Sequence, residues 1–128
     1  MTKVQLRIVT ILRKHQIDRN GFVPNDFEKA YTGWWETRLD DFANQVAIAG
    51  DWLCMVYPDQ KIRSRNKRYG SYRLKHSVEK WTSGIRTRQR VSNSALLVAA
   101  ILLDIPVKRQ RAGSPNGDVL IQRETRWP

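Results

Sequence analysis

Ser92-Asn93-Ser94-Ala95-Leu96-Leu97-Val98-Ala99-Ala100-Ile101-Leu102-Leu103-Asp104, residues 92–104, decides the fold. Ser92 is a good helix N-cap, and residues 95–103 are apolar on every side of the helix they form. A helix with no polar face is buried over most of its surface in a water-soluble domain. The segment therefore predicts a central helix enclosed by the others. Ala95, Ala99 and Ala100 are small enough to let a neighbour approach closely. The same apolar surface excludes this helix from reading base edges, which requires polar groups.

Upstream, Leu39, Phe42, Val46, Ala49, Leu53 and Val56 recur at steps of three and four. That is an amphipathic helix reaching about Tyr57, ended by Pro58. Trp35, Phe42 and Trp52 are expected in the core, and Cys54, within the same apolar stretch, reads as a small core residue. Nearer the start, Val4, Ile8, Ile11 and Leu12 predict a helix over 3–15 capped by Thr2. Asp18-Arg19-Asn20-Gly21 is turn chemistry. Asn25 and Glu28 have capping-box spacing, which predicts a further helix carrying Phe27, Ala30, Tyr31 and Trp34.

Downstream of Pro58 the character changes. Residues 59–70 read as a basic loop or arm. Ser71 reads as the cap of a helix with Leu74, Val78 and Trp81 inward, closed at Gly84. Residues 106–111 and 118–123 predict a hairpin turning at 112–117. The expected fold is mainly α: one compact domain, 1–128, of about five helices with a C-terminal β-hairpin. Its near-neutral helical part is 1–58, and its basic part is 59–128. The order helix, basic connection, helix, hairpin is winged-helix-like.

The charge is localised. The chain carries +11, but residues 61–111 hold fourteen Lys and Arg against Glu79 and Asp104, a net of +12. Residues 1–60 hold seven basic and eight acidic side chains, a net of −1. A field concentrated in this way attracts polyanions, so nucleic acid, DNA or RNA, is the expected partner. Arg86, Arg88 and Arg90 stand at every second position, which aligns them on one side of an extended segment. Lys61, Arg63, Arg65, Lys67 and Arg68 form a second set. Arg73 and Lys75 belong to the helix after Gly70, and Lys108, Arg109 and Arg111 to the hairpin. All are candidates for phosphate contacts. Tyr69 and Tyr72 interleave with them and are candidates to stack on bases.

A non-enzymatic binding protein is the expectation. The alternatives are a protein that blocks a host defence or transcription complex through the same basic face, and a small basic nuclease using His15 and His76 as acid and base. No metal-ligand spacing and no phosphate-cradling glycine loop is visible, so no metal and no cofactor are expected. No apolar run has the length of a membrane span, and the start of the sequence lacks the pattern of a secretory signal. Cys54 is the only cysteine, so an internal disulfide is excluded, which fits a reducing compartment. Oligomeric state stays open; the apolar helix at 93–104 is compatible with a homodimer.

Four short stretches carry a resemblance. Ser71-Tyr72-Arg73-Leu74-Lys75-His76, Val91-Ser92-Asn93-Ser94-Ala95-Leu96, Ala99-Ala100-Ile101 and Ser114-Pro115-Asn116 resemble a pattern in small uncharacterised proteins of phages and bacterial mobile elements. The likeness covers about residues 60–122. Those proteins tend to have glycine where Ser94 and Asp104 stand here, which bears on the tightness of helix packing. The resemblance implies a bacterial host and a cytoplasmic site of action, a setting in which such proteins regulate transcription or disable host defence.

Overall fold

The computed structural model describes residues 2–18, 20–23, 34–56, 67–85, 89–110 and 114–121, with backbone only at 34–37 and 67–68. In chain order the elements are α1 (Lys3–His15), β1 (Ile17–Asp18), β2 (Gly21–Phe22), α2 (Trp34–Val56), β3 (Lys67–Gly70), α3 (Ser71–Ile85), α4 (Asn93–Leu102), β4 (Val107–Arg109) and β5 (Gly117–Ile121). The fold is mainly helical, with four helices among the described residues, and it forms one compact domain around a single core.

α4 is the centre. Every residue from Asn93 to Ala100 is buried, and α1, α2, α3 and the strands β2, β4 and β5 pack against it. α2 presents Phe42, Val46, Ala49, Trp52, Leu53 and Val56 to it, as the three-four spacing predicts. α1 contributes Ile8 and Leu12, while Val4 at its first turn stays 57% exposed. Thr2 caps α1 in a full capping box with Gln5. Ser92 caps α4, its Oγ accepting from the Ala95 N–H at 3.1 Å.

Three sequence expectations are corrected. Cys54 is exposed, not in the core; the buried stripe of α2 passes through Trp52, Leu53 and Val56 and turns position 54 outward. Residues 67–70, read as the end of a loop or arm, form strand β3. The hairpin is accordingly not a free wing. β5 is the middle strand of an antiparallel sheet ordered β3-β5-β4, with Tyr69 opposite Val119 on one side and Val107 opposite Val119 on the other. Ser71 is the first residue of α3, and its Oγ accepts from the Gly117 N–H at 3.0 Å, tying that helix to β5. The helix predicted from Asn25 lies outside the described residues up to Trp34, where α2 begins.

A second hairpin, β1–β2, follows α1 around the turn read from Asp18-Arg19-Asn20-Gly21. It is pressed against residues 114–117. The Phe22 N–H donates to the Pro115 carbonyl at 2.9 Å, and a Cβ on Gly21 would stand 2.1 Å from that same oxygen. Gly21 also has φ +132°, so glycine is required here on two grounds.

Candidate nucleic-acid interface

The site grows from the start of α4. Asn93 points its amide across two chain segments: Nδ2 donates to the Asn20 carbonyl at 3.0 Å and to the Pro115 carbonyl at 3.1 Å. Ser94 Oγ donates to the Asp18 carbonyl. The Ser92 N–H donates to Gln45 Oε1 of α2 at 2.9 Å, and the Val91 N–H donates to Glu79 Oε2 of α3 at 3.2 Å. Four successive residues, 91–94, thus pin four different parts of the chain to one place.

Glu79 is the buried acid of this junction. Besides the Val91 N–H, its Oε1 lies 3.3 Å from Lys75 Nζ and 3.5 Å from His76 Nδ1. Thr82 extends the tie, donating to the Glu79 carbonyl and accepting from the Gln89 N–H at 2.8 Å. The approach to α4 is therefore fixed from α3 on both sides of Arg90, whose side chain is left exposed.

Two adjoining recesses open here. One, of about 320 Å³, is lined by Tyr72, Lys75, Arg90, Asn93, Pro115 and Asn116, among others. The other, of about 450 Å³, is lined by Arg38, Asp41, Phe42 and Gln45 of α2. Asn20, Arg90 and Ser92 belong to both. The N-terminal ends of α3 and α4 meet at this spot, and a helix N-terminus carries partial positive charge. With Arg38, Lys75 and Arg90 beside it, the surface can hold an anion and hydrogen-bond polar groups attached to it.

The candidate residues fall out as follows. Arg90, Lys75 and Tyr72 come together on this surface. Arg73 is exposed on α3 and Lys108 on β4, and neither lines the recesses. Arg109 is engaged elsewhere: its guanidinium donates to the Val23 carbonyl at 3.0 Å and lies over the Phe22 ring at 4.9 Å. Tyr69 packs against the core, whereas Tyr72 is 54% exposed. The side chains of Lys67 and Arg68, and Lys61, Arg63, Arg65, Arg86, Arg88 and Arg111 altogether, lie outside the described residues.

Of the two histidines, His76 pairs with Glu79 and packs edge-on against Tyr72, with ring centroids 4.6 Å apart. Burial, and secondarily the neighbouring Lys14, hold His15 below the ordinary histidine pKa. Among the described residues no group of three His, Cys, Asp or Glu could hold a metal ion, and no helix is long and apolar enough to cross a membrane.

Sequence reasoning missed Asn20, Arg38, Gln45 and Glu79 as parts of this junction. Glu79 alone left a trace, standing four residues after Lys75 on a helix, the spacing of an ion pair. No protein family, curated protein or solved structure matches this chain.

Proposed function

We propose that this chain is a non-enzymatic nucleic-acid-binding protein that grips phosphate backbone through its basic face at 61–111, in the cytoplasm of a bacterium carrying a phage or mobile element. The supporting observation is the meeting of Arg90 and Lys75 with Arg38 around the N-terminal ends of α3 and α4. The local net charge of +12 supplies long-range attraction. Arg90 supplies a cation on a backbone already fixed through Val91 and Ser92, so little ordering is required on binding.

Charge reversal of Arg86, Arg88 and Arg90 to Glu tests this. Binding to duplex DNA, single-stranded DNA and structured RNA is measured across a salt series. The triple variant loses several kcal/mol at low salt, about 1 kcal/mol or more per lost phosphate contact, and its salt slope becomes shallower. Neutralising Arg63, Arg65 and Arg68 removes the same number of charges and costs less. Unchanged affinity in the first variant, with circular dichroism and melting intact, removes this site. A stoichiometric protein partner that survives nuclease treatment of a bacterial lysate instead favours docking on an acidic protein surface.

A further inference from the structure

The two recesses are divided by a shared wall of Asn20, Arg90 and Ser92. We propose that they receive an unpaired strand: one nucleotide enters the recess beside Tyr72, and the phosphate joining it to the next lies at Arg90 over the start of α4. This rests on the nucleic-acid reading above and specifies the form of nucleic acid that the site takes.

Size is the first reason. A recess of about 320 Å³ is at the small end of ligand sites, roughly 300–1,000 Å³, and has room for about one nucleotide. A recess of that size cannot admit a duplex, in which each base is held against its partner and its stacked neighbours. The second reason is the exposed aromatic ring. Tyr72 is 54% exposed at the rim, and its plane is set by His76 edge-on at 4.6 Å and by Lys75 Nζ at 5.3 Å from the ring centre. A paired and stacked base offers no face to such a ring, whereas an unpaired base does.

The third reason is Asn93. It is 93% buried and lines the Tyr72 recess; Nδ2 is committed to two carbonyls, and Oδ1 has no partner among the described residues. A buried acceptor without a donor is costly. An amino or imino N–H on the pairing edge of an unpaired base is the kind of donor that no described residue supplies. Pairing engages the imino N–H and one N–H of each amino group, so an unpaired base has more donors to offer.

The test uses the full chain and fluorescence anisotropy with three probes: a short single-stranded DNA, the RNA of the same sequence, and the blunt DNA duplex. The expected result is single strands bound at least about tenfold tighter than duplex. Tyr72→Ala weakens single-strand binding by about tenfold or more while Tyr72→Phe preserves it. Tyr72→Ala weakens duplex binding much less than single-strand binding, since a paired base offers the ring no face. The exposed position of Tyr72 keeps both variants folded, which melting verifies. The DNA and RNA arms tell the two strand chemistries apart. Equal affinity for duplex and single strand, or indifference of single-strand binding to Tyr72→Ala, overturns the inference and leaves backbone binding standing. No binding to any probe overturns both.

Discussion

Asp104 follows α4 with φ +59°, in the left-handed region where most side chains are strained and aspartate is among the few tolerated. The chain turns there because the Asp104 N–H reaches the Ile101 carbonyl at 3.0 Å and the Ile105 N–H the Ala100 carbonyl at 2.9 Å. Glycine adopts this backbone without strain, so Asp104→Gly stabilises the fold by about 0.5–1 kcal/mol, read as a higher urea midpoint with unchanged slope. Asp104→Val does the reverse. At the start of α4, Ser94 donates its hydroxyl to the Asp18 carbonyl. Residue roles were legible where they are local. Thr2 and Ser92 cap through residues three positions away, so the cap is written beside them. Asn93 acts on residues 73 and 22 positions distant, and nothing adjacent to it in sequence announces those partners.

Among the elements, α3 governs how α4 is approached. Glu79 is buried on α3 yet accepts from the N–H of Val91, twelve residues on, while pairing with Lys75 and His76. Glu79→Ala leaves that N–H without this acceptor and Lys75, whose side chain is 16% exposed, without this partner. A loss of about 2–3 kcal/mol is expected in urea unfolding. Glu79→Gln keeps an acceptor for Val91 and loses only the charge pairing, so it costs less. The proposed function predicts that Glu79→Ala weakens nucleic-acid binding beyond its loss of stability, because Arg90 adjoins the released N–H, and that Glu79→Gln does so much less. The helices were legible because their apolar residues recur with the helical period: α1, α2 and α4 follow from Ile8 and Leu12, from Phe42 to Val56, and from Ala95 to Ile101. β3 was not legible. Lys67-Arg68-Tyr69-Gly70 has one aromatic among charges, and it becomes a strand only because β5 lies beside it.

For the molecule as a whole, the charge asymmetry read from composition coincides with a structural division. α1 and α2, near neutral only when taken together because the basic side chains of α1 offset the acids of α2, supply much of the wall around α4, while α3, β3 and the approach to α4 carry a net excess of basic side chains. The junction between them was beyond sequence reasoning, because it is assembled from Asn20, Arg38, Gln45, Glu79 and Arg90, five residues in four separate segments. The position of β5 has a consequence in time. Its pairing with β4 closes a short local loop, and the helices form from neighbours in sequence, but β3 and β5 are about fifty positions apart. Closing that distance costs more chain entropy than closing the β4–β5 hairpin, and contacts of high sequence separation are slow to form. Tyr69→Ala, which loosens β3 from both the core and Val119, is therefore expected to destabilise by about 2 kcal/mol, nearly all of it as faster unfolding, roughly tenfold or more, with refolding almost unchanged. In native-state hydrogen exchange, the amides of β3 give up their protons before those of β4 and α4, so β3 is the strand that detaches first when the protein begins to open.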